Sequence, residues 1–418
     1  MEIEITTLGA IIGLAVAIIL IIKKVQPAYS LILGAVIGGL VGGAGLDGTV
    51  STMISGAKDI MPAILRIVTS GVLAGILIKT GSAAKIADQI VKTLGQKRAL
   101  FALALATLVL TARGVFIDIA VITVAPIALA IGKKLNYSKM AILFAMIGGG
   151  KCGNIISPNP NTIAAAENFG VELSSLMFAN IFAAIAGLIM TVLVVKVLTK
   201  KGEVIQDTMI EEEKEDLPSF LAAISGPLVA IILLALRPIA GIAIDPLIAL
   251  PVGGLIGVLA TGKWRQTNEY ITFGLSKMMP VAVLLIGTGA VAGIIKASTL
   301  QATTITLLNS VNMPEFLLAP ISGILMGAAT ASTTAGTTIA SATFGPAILA
   351  AGITPLAGAA MVHAGATVLD HLPHGSFFHA TAGATNMSLS ERLKLIPYES
   401  LVGLTITIVT TVIWGIIL

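Results

Sequence analysis

Charged residues are scarce in this chain, and that scarcity excludes an ordinary soluble protein. Only 11% of the 418 residues are charged, and 56% are hydrophobic. Soluble domains average about 25% charged and about 45–50% apolar residues. The single Cys152 excludes an intrachain disulfide, and a net charge of +4 does not indicate a nucleic-acid partner. The composition predicts a polytopic all-α membrane protein whose main surroundings are the lipid bilayer.

A basic segment before the first apolar run is also missing, which argues against a cleaved signal peptide. Glu2 and Glu4 precede that run, and lysines follow it, the reverse of a signal peptide. Most of the 25 Lys and Arg fall in loops on one side of the predicted topology, and the positive-inside rule makes that side cytoplasmic. Both termini are then predicted to lie outside a bacterial inner membrane. The apolar stretches lie near 5–22, 27–45, 60–80, 99–132, 140–168, 173–198, 219–236, 246–262, 279–297, 315–352, 355–386 and 396–418.

Two of these stretches, 99–132 and 315–352, are too long for one helix and contain polar residues near their middles. Each is either a re-entrant helical hairpin or a pair of full spans. The distribution of positive charge is the same in both cases, so both interpretations stay open.

Sequence similarity between the halves predicts a duplication. Residues 56–77 match residues 274–295, and residues 125–132 match residues 345–352 at nearly the same separation. The predicted units are a first repeat at 1–198, a cytoplasmic linker at 199–218 and a second repeat at 219–418. About five spans and one re-entrant hairpin per half give two inverted-topology repeats with unwound helices at the midplane, as in many secondary transporters.

Four polar interruptions, two per half, are the candidate site, because irregular backbone at membrane depth must line a cavity or pack in protein. The first contains Thr111, Arg113, Gly114 and Asp118. The planar guanidinium of Arg113 suits a substrate carboxylate. An internal Arg113–Asp118 pair at the hairpin tip is an equally open interpretation.

The second and third interruptions are rich in neutral hydrogen-bonding groups. Breaks caused by glycine and proline free backbone N–H groups, and a helix that restarts near Thr162 offers its N-terminus to an anion. Lys151 either contacts the substrate or neutralises a nearby acid. The candidate substrate-binding residues of these segments are Thr330, Ser332, Thr333 and Thr334, and then Asn154, Ser157, Asn159, Asn161 and Thr162.

The fourth interruption, 370–379, contains three of the four histidines. Histidine titrates near neutral pH, so Asp370, His371 and His374, together with Asp118, are the predicted proton-coupling residues. Ser376 is a further candidate substrate contact. A zinc site and histidines bonded to backbone carbonyls are the competing interpretations.

At these four segments the chain resembles the gluconate:proton symporter (GntP-type) permease family of the ion transporter superfamily. The hydroxyl-rich 330–338 segment and Gly375-Ser376-Phe377-Phe378, followed later by Glu399, carry the resemblance. The resemblance implies a homodimer, two re-entrant hairpins and elevator-type alternating access. Pro373-His374 is similar to members thought to move shorter hydroxy acids.

We therefore expect a proton-coupled symporter of a small hydroxylated carboxylate, such as gluconate or a shorter hydroxy acid, and not an enzyme. No cofactor or metal is expected, and protons are the predicted coupling ion, with sodium as the alternative. The competing functions are a cation/proton antiporter, a sodium-coupled carboxylate transporter and a membrane-embedded metalloenzyme.

Overall fold

The computed structural model describes residues 5–23, 25–95, 98–199, 201–205, 217–240, 242, 244–300, 303, 314–373 and 375–418. These parts of the chain are almost entirely helical. Within them, the only β-type pairing consists of two isolated bridges, Ile5 with Ser298 and Ser138 with Val204. The predicted all-α fold is therefore confirmed. Most of the predicted linker lies outside the described residues.

Eleven helices are described in the first half of the chain. They are α1 Thr7–Ile22, α2 Pro27–Val41, α3 Gly45–Asp59, α4 Met61–Lys79, α5 Ser82–Leu94, α6 Ala99–Thr111, α7 Ile117–Leu135, α8 Lys139–Asn154, α9 Pro160–Phe169, α10 Leu173–Ala179 and α11 Ile181–Leu198.

Nine α-helices are described in the second half. They are α12 Phe220–Ala240, α13 Pro246–Ala260, α14 Thr267–Lys296, α15 Leu318–Thr330, α16 Thr333–Ala350, α17 Pro355–Gly365, α18 Ser376–Ala384, α19 Leu389–Leu393 and α20 Ile396–Val412. Short 3-10 turns precede α14 and α15, at Trp264–Gln266 and Glu315–Leu317, and a π-helical turn at Ile413–Ile417 follows α20.

Helix starts are set by a recurring local signal, a capping side chain followed by proline. Asn159 caps α9, Asp245 caps α13 and Thr354 caps α17, and the next residue is proline each time. The capping oxygen accepts an unpaired backbone N–H, and proline fits the first helical position because its missing N–H would be unpaired there anyway.

The helices form two packed groups. The framework group contains α1–α4 and α12–α14, and α14 packs against α2, α3 and α4. The hairpin group contains α6–α11 and α15–α20, and includes the paired helices α6/α7 and α15/α16. Helix α5 contacts both groups. Contacts of α14 with α16 and of α4 with α9 also join them.

Glycines from the matching segments of the two halves let α3 and α4 approach α14 closely. Gly56 lies against Gly289, and Gly71 lies against Gly274. A Cβ added to Gly71 would lie 2.7 Å from the carbonyl oxygen of Gly274. Small residues at such crossings let helix backbones pack tightly in a membrane.

All four predicted interruptions are breaks between helices. The stretch 99–132 divides at residues 112–116, and the stretch 315–352 divides after Thr330. The other breaks lie between Asn154 and Pro160 and between Gly365 and Ser376. Four described segments have the length and hydropathy to span a bilayer alone: Met61–Lys79, Ile181–Leu198, Trp264–Lys296 and Leu389–Ile417. The number of crossings, the re-entrant course of the hairpins and the repeat boundaries stay predictions.

Candidate substrate site

A cavity of about 600 Å³ lies between the framework group and the hairpin group. The framework group lines it with the start of α2 and with α14 between Lys277 and Leu284. The hairpin group lines it with parts of all four interruptions: residues 116–119 and Ile122, Asn154, residues 330–335, and Asp370 with residues 375–377.

The tip of the second hairpin faces this cavity with a conformation that its sequence sets locally. Helix α15 ends at Thr330, and Ala331 adopts a left-handed conformation with a φ of 47°. Ser332 then caps α16 through its Oγ. Thr333 Oγ1 donates a hydrogen bond of 2.5 Å to Asp370 Oδ2. The hairpin tip is thereby tied to the second unwound segment.

A buried ion pair joins the two unwound segments beside the cavity. Lys151 and Asp370 form this pair, and their side chains are 0% and 3% exposed. Lys151 Nζ also donates to Thr367 O at 2.5 Å and lies 3.2 Å from His371 Nδ1. A buried charge without a partner costs several kcal/mol, so each member of the pair keeps the other charged. The structure thus gives Lys151 the role of neutralising an acid.

His371 is held at both ring nitrogens. Nε2 lies 3.0 Å from Ile396 O and 3.2 Å from Ser400 Oγ. Because a carbonyl oxygen only accepts hydrogen bonds, Nε2 carries the hydrogen in the neutral ring. Nδ1 then accepts a hydrogen bond from Lys151 Nζ at 3.2 Å and lies 3.0 Å from Asp370 Oδ1. His371 is therefore bonded through both ring nitrogens and supports the Lys151–Asp370 pair.

Behind His371 lies a second buried ion pair. Arg392 and Glu399 are both fully buried and pair through two hydrogen bonds, one of them 3.1 Å long. The Arg392 guanidinium also lies 4.7 Å from the centre of the Phe378 ring. Glu399 Oε2 is 4.0 Å from His371 Nδ1. This pair joins α19 to the first turn of α20, in the part of the chain that follows the second unwound segment.

The first unwound segment forms a buried amide network. Asn159 Nδ2 donates to Asn154 O at 2.9 Å, and Ser157 Oγ donates to the same carbonyl at 2.9 Å. Asn159 Oδ1 accepts hydrogen bonds from the backbone N–H and the hydroxyl of Thr162. Asn161 Oδ1 accepts from Thr334 Oγ1 at 3.1 Å. Of these amides, only Asn154 lines the cavity.

Asn161 has a second partner on α17. Its Nδ2 lies 3.1 Å from Nε2 of the buried His363. Because Thr334 lines the cavity and Asn161 bonds to it, this network fixes the hairpin tip.

Of the predicted residues at the first hairpin, Asp118 lines the cavity and Arg113 does not. Asp118 lines the cavity, and its Oδ1 accepts a hydrogen bond of 2.9 Å from Ile119 N. Arg113 does not line it: its Nη1 donates to Val109 O at 3.2 Å, back along α6. The predicted Arg113–Asp118 pair is not among the ion pairs of the described residues. Gly114 supplies the turn with a φ of 92°.

Thr111 is buried, and its Oγ1 donates to Gly150 O at 3.0 Å. It therefore ties the first hairpin to α8 and is not a lining residue.

Of the three histidines in the fourth interruption, two are described, His371 and His379, and they have different partners. His379 is exposed, and its Nε2 lies 2.8 Å from Pro373 O. His374 lies outside the described residues. Among the described residues, no three His, Cys, Asp or Glu side chains are grouped to hold a metal.

Lys277 is a cavity residue that was not predicted from the sequence. This side chain lies on α14 and is the one cation among the residues that line the cavity. The signal was present, because an ionisable residue inside an apolar helix indicates a functional position. Lys277 lies ten residues into the 30-residue helix α14.

The chain is similar to known proteins in sequence and in fold. Residues 5–417 match the model of a family described as GntP family permease. An uncharacterized transporter of Haemophilus influenzae is 58% identical over 413 residues, which are 99% of each chain. A gluconate permease of Pseudomonas aeruginosa is 24% identical over 93% of this chain and 92% of its own length.

Among solved structures, the YdaH transporter of Alcanivorax borkumensis superposes with a TM-score of 0.67 over 90% of this chain and 89% of its own. Its sequence identity is 17%, so this likeness concerns the fold alone.

Proposed function

Because the chain belongs to the GntP family of permeases, we propose that it carries a small hydroxylated monocarboxylate into the cell together with a proton. The chain is a multi-pass inner-membrane transporter and not an enzyme. The observation that carries the proposal is the cavity between the two helix groups, in which hydroxyls, an amide and ionisable side chains converge.

The charges around the cavity support proton coupling. Asp118 and Asp370 line it, Lys277 faces it, and Lys151 lies beside it against Asp370. With His371 neutral, these four charges cancel. A monocarboxylate then adds one uncompensated negative charge in a poorly solvated place, which costs several kcal/mol. One proton, bound by a carboxylate or by His371, cancels that charge.

The neutral groups of the cavity suit a hydroxylated substrate. Ser332, Thr334 and Ser376 provide hydroxyls on the hairpin group, and Asn154 provides an amide. Hydroxyls both donate and accept hydrogen bonds, so they match the alcohol groups of a hydroxy acid. Thr333 is committed to Asp370, so its contribution is to position that carboxylate.

We further propose an elevator-type movement in which the hairpin group slides against the framework group. The site residues of both hairpins and both unwound segments belong to the hairpin group, which allows them to move as one body.

The reciprocal glycine contacts, Gly56 with Gly289 and Gly71 with Gly274, are what two inverted repeats related by a pseudo-two-fold axis require. The proposal includes a homodimer with its termini outside, to be tested by cross-linking and by labelling from each side.

The test is uptake by the purified full-length chain in liposomes. The radiolabelled substrates are D-gluconate, D-glycerate, L-lactate and 3-hydroxybutyrate, and citrate serves as a tricarboxylate comparison. We expect at least one of the four monocarboxylates to accumulate when the outside is acidic, and a protonophore to abolish that accumulation.

Two other outcomes contradict the proposal. Accumulation that follows a sodium gradient and ignores the pH gradient identifies a sodium-coupled carboxylate transporter. Proton efflux driven by an inorganic cation, with no uptake of any of the acids, identifies a cation/proton antiporter.

A further inference from the structure

Lys277 is the single positively charged side chain among the described residues that line the cavity. It projects from α14 and lies 5.2 Å from the centre of the Phe273 ring, one turn earlier in the same helix. No described carboxylate forms an ion pair with it within 4.0 Å. Its ammonium is therefore available to a ligand in the cavity.

The other nearby cation, Lys151, is not available. Its ammonium has three donor hydrogens, and Asp370, Thr367 O and His371 Nδ1 surround it. The side chain is completely buried. Arg113 is directed back along its own helix. An anion in the cavity thus meets one cation, Lys277.

Asp118 and Lys277 line the same cavity, and Asp118 is the one carboxylate besides Asp370 among its described lining residues. Asp118 lies in the first turn of α7 and receives the backbone N–H of Ile119. The two residues belong to different helix groups, Asp118 to the hairpin group and Lys277 to the framework group.

We propose that Lys277 holds the carboxylate of the substrate and that Asp118 is the counter-ion it releases when the substrate binds. This inference rests on the proposed function. In the empty protein, Asp118 balances Lys277. When a monocarboxylate takes that place, Asp118 accepts a proton on its carboxylate, forming a new O–H bond, and the total charge of the cavity stays unchanged.

The remaining charged groups around the cavity leave this exchange intact. Asp370 is neutralised by Lys151, and His371 is bonded behind that pair. Lys79 also lies over the Phe273 ring, with Nζ 4.8 Å from the ring centre, and it does not line the cavity. His374 lies outside the described residues. Coupling then follows from competition: the substrate binds well only when a proton occupies Asp118.

The test compares binding of the four monocarboxylates, measured by calorimetry on the full chain in nanodiscs at about pH 6 and about pH 8. Losing a charge-assisted hydrogen bond weakens binding by about 10- to 100-fold. We expect that loss for Lys277→Met, at both pH values, and a much smaller one for Lys277→Arg. Lys79→Met is the matched control, since it removes a lysine that lies over the same Phe273 ring but outside the cavity. Arg113→Met tests the alternative that Arg113 holds the carboxylate. Both should bind like wild type.

Asp118→Asn gives the second readout. Wild-type affinity should weaken from about pH 6 to about pH 8, because the proton leaves Asp118. The asparagine variant should bind equally well at both values and exchange internal for external substrate without accumulating it. Unfolding midpoints establish that all variants are folded.

The inference is overturned if Lys277→Met binds like wild type, if Arg113→Met produces the loss instead, or if Asp118→Asn keeps the wild-type pH dependence. Wild-type chain that binds none of the four acids rejects the proposed substrate class itself. The two failures are therefore distinguishable.

Discussion

The substitution Asp370→Asn should destabilise the protein strongly, because it leaves the Lys151 ammonium buried without its counter-ion. Lys151 is 0% exposed and Asp370 is 3% exposed, so water does not replace the lost carboxylate. The remaining partners of Lys151 are Thr367 O and His371 Nδ1, which accept hydrogen bonds and carry no negative charge.

The magnitude has an upper bound, since the lysine can release its proton. An ordinary lysine has a pKa of about 10.4, and each pH unit below that value costs about 1.4 kcal/mol for the neutral form. At pH 7 this is about 4.6 kcal/mol, which agrees with the roughly 3–5 kcal/mol typical of a broken buried pair. The variant binds fewer protons when folded than when unfolded. Its loss of stability relative to wild type should therefore become smaller as the pH rises.

Lys151→Met should lower the free energy of unfolding less than Asp370→Asn does, because His371 remains beside Asp370 as a partner. Its Nδ1 is 3.0 Å from Asp370 Oδ1, so a proton taken up by this buried pair neutralises the carboxylate that Lys151 no longer balances. This deficit should shrink as the pH falls. The double variant Lys151→Met/His371→Gln removes that rescue.

Reversible unfolding in mixed micelles between about pH 6 and about pH 9 measures these differences. An Asp370→Asn variant as stable as wild type at pH 7 contradicts the dependence of Lys151 on this carboxylate. So do losses of stability in the two single variants that change with pH in the same direction.

Three further predictions concern the second ion pair, the helix crossing and the acid response. Arg392→Met should destabilise by about 3–5 kcal/mol in the same assay, since Glu399 is left charged and buried, and Arg392→Met/Glu399→Gln should recover part of that loss; equal stability of the single and double variants contradicts this. Gly71→Ala should lower the unfolding midpoint and reduce uptake, because its Cβ would lie 2.7 Å from Gly274 O, whereas Gly383→Ala, with no atom within 4 Å of its Cβ, should change neither. Hydrogen bonds from Arg66 hold the pKa of Asp245 below its ordinary value, so their contribution to stability is present above about pH 4 and is lost as the pH falls through the lower folded-state pKa. Unfolding midpoints measured from about pH 3 to pH 6 should therefore fall less with acid in Asp245→Asn than in wild type. An unchanged acid response argues against the Arg66–Asp245 pair.

The breaks in the helices were predictable from sequence because they depend on local residues. The prolines at 158 and 160 and the polar residues at 111–114 and 330–334 interrupt apolar stretches wherever those stretches pack. The break predicted at the glycines of 148–153 is wrong, because α8 continues through them to Asn154. The same local information placed Asn154, the second hairpin tip and Asp370 in one site, and all of them line the cavity.

The direction of individual side chains was not predictable, because it depends on contacts between distant parts of the chain. Lys151 and Asp370 are 219 residues apart, and neither segment alone indicates the pairing. Arg113 was the favoured cation from its position in a hairpin tip. Lys277 faces the cavity instead because α14 packs beside the second hairpin, a contact between the two helix groups that no local pattern encodes.

The central claim is that substrate binds in the cavity between the two helix groups, and thiol protection tests it most directly. The only native cysteine, Cys152, is buried, so Ser376→Cys introduces one reactive thiol into the cavity and Ser55→Cys introduces one into a separate cavity beside Asp59. Substrate, identified from the monocarboxylate panel, should slow labelling of the cysteine at 376 by a small charged thiol reagent and leave the cysteine at 55 unaffected. Labelling at 376 that ignores saturating substrate, while uptake continues, would contradict the claim.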